Sequence, residues 1–472
     1  MNDSSQSFVK WREILCREHA LALSLVCLGV WLHAADSLLV ATMMPAIIED
    51  IGGTHLISWT VALYEIGSIV AGAASGLLAM RQGIRIPMIG AALLFAAGCM
   101  VSATAPEMWI MLVGRLMQGF GGGGLMALSF VATSLLFPER LMARALGAIS
   151  TLWGISAFTG PLIGGLFIKY GTWRGGFWFF CLQAIVLAIW VAWKIKPPKS
   201  KVAKTPQNRF PILRLACLSL SVILIAYAGV DVSVIWTPIF VGAGVICIVL
   251  FLRLDSARDA NRLLPLHPIS LTDPVGAGLT MVLCFSIATI AVSIYGPLLI
   301  ILLHGGSALT AGYIIACSSI GWASVAFFIS GVPTRYGGQM IATGMALVTL
   351  SIFGFVYSIS NGPTWLIAIF TTIEGAGFGM AWTFILHRAT VLAGPSEIER
   401  VSAAIPTIQR LGYALGAAYI GIVANWAGIE ERSDTALLGE VGFIIFTACL
   451  PIAAVGIIAT ARFILASERA DG

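Results

Sequence analysis

Apolar residues run through this chain in blocks too long for the strands or helices of a globular core, and short polar stretches separate them. A helix rises about 1.5 Å per residue, so about 20 mostly apolar residues cross a bilayer. On that ruler the pattern predicts fourteen membrane-spanning helices, over residues 20–48, 57–80, 86–103, 109–136, 143–168, 173–193, 211–230, 236–252, 275–303, 307–330, 340–359, 363–387, 401–427 and 436–463. The first block exceeds the core of a signal peptide and reads as a retained helix. The expected fold class is all-α, with loops of at most about 20 residues.

An internal repeat orders the blocks. "RQG" at Arg81 returns as "RYG" at Arg335, 254 residues on, and "QGFGGGG" at Gln118 returns as "EGAGFGM" at Glu374, 256 residues on. Gly160 and Gly165 return as Gly416 and Gly421 at the same offset of 256. Parallel copies of six helices, related by an axis along the membrane normal, are the architecture of a secondary transporter with a cavity between its halves. The expected divisions are a tail (1–19), a six-helix bundle (20–193), a basic linker with two additional helices and a loop (194–274), a second six-helix bundle (275–463) and a tail (464–472).

Composition agrees with the pattern. The 472 residues are 58% hydrophobic and only 10% charged, with a mean hydropathy of +0.95, whereas soluble domains carry roughly 25% charged residues. Charge also sets the expected sidedness. Of 27 Lys and Arg, 22 fall on one face; only Lys169, Arg174 and Arg432 fall on the other, and Arg115 and Arg410 lie within spans. By the positive-inside rule both termini are cytoplasmic, in a multi-pass protein of the cell (inner or plasma) membrane. The basic stretch 194–214 reads as a topology signal beside anionic lipid, not a nucleic-acid patch. The nine cysteines are scattered with no CxxC pair, which argues against a disulfide framework or zinc site and for helix packing.

The segments with chemistry are few. "GGGG" at Gly121–Gly124 lacks the GK[ST] ending of a phosphate loop and lies in an apolar block, so helix packing explains it. No ATP site or cofactor is expected, and energy should come from an ion gradient. In "GISAFTGPLIGG", Gly154, Gly160, Gly164 and Gly165 let neighbouring backbones approach, and Pro161 adds a kink. Ordinary small-residue packing accounts for most of that pattern.

Few ionisable residues sit well within the spans, chief among them Asp36, Glu65, Glu374, Arg115 and Arg410. A charge at bilayer depth costs at least about 2.5–3.5 kcal/mol on insertion scales, so each is by default a functional residue. Asp36 is the leading proton carrier, its rival role being a buried structural hydrogen-bond partner. Burial favours a neutral carboxyl and a nearby guanidinium favours the anion, so moving Arg115 relative to Asp36 would switch proton affinity. Arg115 could instead bond backbone carbonyls between helices. Glu65, beside Tyr64, reads either as a second acidic site for a cationic substrate or proton, or as a local ion pair near the outer mouth. Glu374 faces the cavity only if the repeat symmetry holds. His33, one turn from Asp36, is a packing histidine or a proton relay.

With these residues quoted, the chain resembles the major facilitator superfamily, and within it the fourteen-span drug:proton antiporters, over nearly its whole length. Asp36 and Pro45 match that group's first-helix pattern, "GRLMQGFGGGG" its fourth at Arg115, Gln118 and Gly119, "GISAFTGPLIGG" its fifth, and "WRGGFWFF" at Trp173 and Arg174 its sixth. The resemblance implies that the fifth-helix bend controls cavity closure. A substrate cavity reached by His33, Tyr64, Glu65, Gln118, Glu374, Gln409 and Arg410 is expected, with Glu65 standing where the family usually has an apolar residue. "TIQRLGYALG" exchanges Gln409 and Arg410 relative to the family's order, turning the arginine about 100° around its helix and leaving its role open. The loop "GLLAMRQGIR" keeps Arg81 and Gly83 but has Met80 for the family's aspartate and Ile84 for a basic residue, and the second copy has Thr334 before Arg335. Those losses imply a weaker or differently built inner latch.

The reading these features support is proton-coupled export of amphipathic small molecules, multidrug efflux, by alternating access in a functional monomer, with drug resistance as the phenotype. A dedicated exporter of a metabolite, lipid or siderophore is a second reading, and a transport-inactive sensor or scaffold a third. An enzyme is not expected, because no clustered nucleophile or His-rich site is visible. The expected partners are a small-molecule substrate, protons and the lipid bilayer.

Overall fold

The computed structural model describes residues 13, 17–195, 211–257, 262–329, 332–394, 397–430 and 435–468. Outside these lie most of the expected N-terminal tail, the linker residues 196–210, Arg432 and the last residues of the C-terminal tail.

Among the described residues the apolar blocks form helices α1 (Arg17–Ile51), α2 (Ile57–Gln82), α3 (Arg85–Ala103), α4 (Met108–Leu136), α5 (Glu139–Tyr170) and α6 (Trp173–Lys194). Then come α7 (Ile212–Tyr227), α8 (Trp236–Ser256), α9 (Pro274–His304), α10 (Ala308–Ile329), α11 (Gly337–Ser358), α12 (Thr364–Leu392), α13 (Ile398–Trp426), α14 (Thr435–Thr447) and α15 (Cys449–Glu468). Twelve segments are long and apolar enough to cross a membrane, so the protein is multi-pass. Two of the fourteen expected spans fall short. Helix α7 is apolar but has only 16 residues. Helix α13 has 29 residues, but Glu399, Arg400, Gln409 and Arg410 lower its apolarity.

The last block is one span made of two helices, 436–465, broken at Ala448. Pro451 supplies the reason: it has no N–H for the carbonyl of Thr447, and its ring crowds that oxygen.

Turn chemistry separates the helices. Gly52 and Gly53 take φ of 67° and 84° between α1 and α2, where a side chain would be strained. Helix α9 starts at an Asp273 cap, whose carboxylate accepts from the Gly276 N–H at 2.7 Å, with Pro274 in the first position.

Packing repeats with a period of eight helices. The pairs α1·α5, α2·α4 and α3·α4 recur as α9·α13, α10·α12 and α11·α12, and α3·α6 recurs as α11 against both pieces of the broken span, α14 and α15. Helices α1, α5, α9 and α13 hold equivalent places in the two copies, and each has an internal proline: Pro45, Pro161, Pro297 and Pro406. The missing N–H lets each of these four bend.

The halves meet along α2–α13, α5–α10 and α1 with α9 and α10. Contact is tight at the distal end, opposite the chain termini. A Cβ on Gly421 would stand 2.2 Å from Ser58 Oγ, and one on Gly165 2.7 Å from Leu309 Cδ1. Asn425 Nδ2 donates to the carbonyls of His55 at 2.8 Å and Gly229 at 2.6 Å, and His55 meets Glu430 at 2.9 Å. Nearer the termini the faces part: Gly72 and Gly76 of α2 have no described atom within 4 Å of an added Cβ.

The two additional helices pack on each other, and α7 also lies against α2 and α13. Arg214 of α7 pairs with Asp255 of α8, whose carboxylate also accepts from the backbone N–H groups of Leu263 and Leu264 at 2.9 Å each.

Candidate functional site

Helices α2 and α4 meet backbone to backbone. A Cβ on Gly119 would stand 2.2 Å from the Tyr64 carbonyl oxygen, and one on Gly123 2.4 Å from the Cα of Ser68. The glycine run is therefore a packing surface, which sets Thr60, Tyr64 and Ser68 against Arg115, Gln118 and Met126. Helix α5 seats α1 on the other side, where a Cβ on Gly160 would lie 3.0 Å from Leu38 Cβ and one on Gly164 3.2 Å from the Leu39 carbonyl. This close contact holds Asp36 towards α4.

The first charged cluster is enclosed. Arg115 Nη1 donates to Asp36 Oδ2 at 2.6 Å and to Gln118 Oε1 at 2.9 Å. Gln118 Nε2 donates to Asp36 Oδ1 at 3.3 Å and reaches Cys99 Sγ at 3.0 Å. Arg115 Nε donates to the Thr60 carbonyl at 3.4 Å, and the guanidinium lies over the Tyr64 ring, 4.3 Å from its centre. The arginine and aspartate side chains are 3% and 0% exposed. Removing one member of a buried pair leaves an uncompensated charge, at about 3–5 kcal/mol.

The second cluster joins the halves. Arg410 of α13 donates from Nη1 to Glu65 Oε2 at 3.1 Å and Ser68 Oγ at 3.0 Å. From Nη2 it donates to His33 Nε2 at 2.8 Å and meets Met126 Sδ at 3.0 Å. All four partners belong to α1, α2 and α4. The arginine and glutamate side chains are 19% and 11% exposed, so this cluster is more accessible than the first.

His33 and Tyr64 connect the two. A guanidinium can only donate, so His33 Nε2 must accept and the ring proton sits on Nδ1. That N–H donates to Tyr64 Oη at 2.8 Å, and the phenol in turn donates to the His33 carbonyl at 3.4 Å. The Tyr64 ring stacks on the imidazole, and Trp153 meets it edge-on at 6.0 Å between ring centres. The result is one continuous polar chain, Asp36–Arg115–Tyr64–His33–Arg410–Glu65, with two acids, two guanidiniums and a neutral imidazole.

Of the residues expected from sequence at the cavity, His33, Tyr64, Glu65, Gln118 and Arg410 come together with Asp36 and Arg115. Gln409 turns along its own helix to Tyr413 Oη at 3.2 Å. Glu374 joins neither cluster: it is 7% exposed in α12, and its Oε2 has no hydrogen-bond partner among the described residues. Gly154 of α5 is only in ordinary contact with Ala323 of α10, at 4.0 Å. In the loop after α2, Gly83 takes φ of 72° and Arg81 is exposed, while the Met80 side chain lies outside the described residues. Thr334 lies exposed in a short turn, where Arg335 covers the Tyr336 ring at 4.8 Å.

Sequence reading missed Thr60, Ser68, Cys99, Met126 and Trp153. Ser68 stands one turn from Glu65 and Tyr64, and Met126 two turns from Gln118, so helical spacing from the flagged residues could have found both. Trp153 and Cys99 come from other helices and had no local signal.

The Major Facilitator Superfamily profile matches residues 26–417. A probable multidrug-efflux transporter of Mycobacterium tuberculosis is 28% identical over 98% of each chain. The multidrug efflux pump SdrM of Staphylococcus aureus is 24% identical over 83% of this chain and 87% of its own. Among solved structures, the peptide-transporter-family protein PepTSo superposes with a TM-score of 0.66 at 15% identity, covering 98% of this chain and 99% of its own. A bacterial homologue of the lysosomal transporter Spinster gives 0.65 at 12% identity, covering 96% and 97%.

Proposed function

The chain belongs to the Major Facilitator Superfamily, and we propose from that premise that it exports amphipathic small molecules in exchange for protons, as a fourteen-span drug:proton antiporter. It is a transporter and not an enzyme. The observation that carries the proposal is the Asp36–Arg115 pair, enclosed in membrane-spanning helices and tied through Gln118 to Cys99 of α3. A proton arriving at Asp36 cancels the charge that holds Arg115. The guanidinium must then rely on Gln118, the Thr60 carbonyl and the Tyr64 ring, so protonation loosens the α1–α4 junction. The names of the relatives support efflux of varied compounds.

The moving bodies are the bundles 20–193 and 275–463, with 194–274 as the connection. Both termini are cytoplasmic, the protein acts as a monomer in the cell membrane, and the distal closure corresponds to an inward-open state. The four proline-bearing helices line the cavity and bend as it alternates.

The test is reconstitution in liposomes with an imposed pH gradient, comparing wild type with Asp36→Asn. Wild type should couple substrate movement to proton flow and Asp36→Asn should not. Equal transport and equal collapse of the gradient by both proteins would overturn the assignment.

A further inference from the structure

We propose that Arg410 is a tethered occupant of a cation site formed by the N-terminal half, and that a lipophilic cationic substrate binds by displacing it from Glu65. The proposal deepens the efflux reading above and rests on it.

Glu65 Oε2, Ser68 Oγ, His33 Nε2 and Met126 Sδ all converge on one guanidinium, and every one is an acceptor. They come from α1, α2 and α4, which pack together independently of α13. The acceptor cage therefore belongs to one half of the molecule and its cation to the other. Aromatic surface lies beside it: the Tyr64 ring stacks on His33, and Trp153, 39% exposed, approaches the same imidazole edge-on. A carboxylate, a thioether and aromatic rings around one point suit a bulky organic monocation better than a hydrated metal ion.

Any rearrangement that carries α13 away from α1 and α2 withdraws the guanidinium, and Glu65 is then left as a bare carboxylate in an apolar setting. A buried charge of that kind requires a replacement. A substrate cation supplies it one for one, so arginine and substrate exclude each other. The Asp36–Arg115 pair lacks this exchange, since both its members belong to the same half and the pair is sealed from solvent.

Selectivity follows. A neutral compound of the same shape gains nothing from Glu65 and cannot dislodge Arg410. The apparent affinity for a cation is reduced by the fraction of time the arginine holds the site, and removing the arginine lifts that reduction.

The experiment measures equilibrium binding of tetraphenylphosphonium and of neutral triphenylphosphine oxide to purified protein in detergent, with no gradient. The proteins are wild type, Arg410→Gln, Arg410→Lys and Glu65→Gln, each checked for folding by thermal melting. Arg410→Gln should bind the phosphonium about tenfold more tightly, with the phosphine oxide unchanged. Arg410→Lys should stay near wild type, and Glu65→Gln should lose the phosphonium preference. Equal or weaker phosphonium binding by a folded Arg410→Gln would overturn the proposal, as would equal gains for both ligands. Because no proton coupling is involved, such a result would leave the Asp36 test of export standing. An uncoupled Asp36→Asn with a normal Arg410→Gln gain would be the expected pair.

Discussion

His33 accepts from Arg410 through Nε2 at 2.8 Å, and this single contact fixes the histidine as the neutral tautomer with its proton on Nδ1. The imidazole thus holds two halves of the chain together while carrying no charge. Replacing it with phenylalanine leaves the Arg410 Nη2 and Tyr64 Oη groups short of a partner in a buried setting. His33→Phe should lower stability by about 1–3 kcal/mol, read as a fall in melting temperature in detergent. His33→Gln, which can both accept and donate, should recover part of that loss.

Arg115 makes demands that lysine cannot meet. Its Nη1 serves Asp36 and Gln118 together, while Nε serves the Thr60 carbonyl on another helix. Arg115→Lys keeps the charge but cannot reach Asp36, Gln118 and the Thr60 carbonyl together, and should retain folding with transport reduced at least about tenfold. Arg115→Gln leaves Asp36 unpaired and should cost about 3–5 kcal/mol unless the aspartate is neutralised in the same protein. Melting curves of Arg115→Gln and of Arg115→Gln with Asp36→Asn separate the two effects.

Two glycines in the α2–α4 contact differ from a third on the open face. A Cβ on Gly119 would fall 2.2 Å from the Tyr64 carbonyl, and one on Gly122 would fall 2.9 Å from Tyr64 Oη and 3.2 Å from His33 Nδ1. Gly119→Ala should force the helices apart at a cost of about 1–3 kcal/mol or more, and Gly122→Ala should disturb the His33–Tyr64 bond. Gly76→Ala meets nothing within 4 Å and should be neutral or mildly stabilising through helix propensity. Thermal unfolding of the three variants checks the order.

Asn425 of α13 closes the distal end by holding two carbonyls, that of His55 in the N-terminal half and that of Gly229 just after α7. Asn425→Ala removes both bonds at about 0.5–1.5 kcal/mol each and should shift the population towards distal opening. Cysteines placed at positions 55 and 430, whose native side chains meet at their tips at 2.9 Å, should be bridged more slowly by a short bis-maleimide in the Asn425→Ala background.

The architecture was largely legible because bilayer thickness fixes helix length, so apolar runs translate directly into helices. The offset between Gln118 and Glu374 gave the repeat, and the pairwise packing follows it. The site was legible only in part, for a physical reason. A charge in an apolar block announces itself, so Asp36, Glu65, Arg115 and Arg410 were found, but a one-dimensional pattern carries no partner. That Arg410 crosses to His33 and Glu65 depends on the rotation of α13 against α1 and α2, which no local spacing encodes. Glu374 occupies the place of Gln118 in the repeat, but Thr371 stands where the first copy has Arg115, and the Glu374 Oε2 has no hydrogen-bond partner among the described residues. The break at Ala448 could have been read from Pro451, which the unbroken apolar run concealed.

Helix α7 rests against α2 and α13, and its end is fastened to Asn425 through the Gly229 carbonyl. The opposite seam, between α5 and α10, has no such cover among the described residues. The two flanks of the molecule are therefore unlike. One is buttressed by a hairpin whose outer helix is almost wholly uncovered; the other is a bare contact of two helices drawn together at Gly165 and Gly312, so it depends on close packing alone.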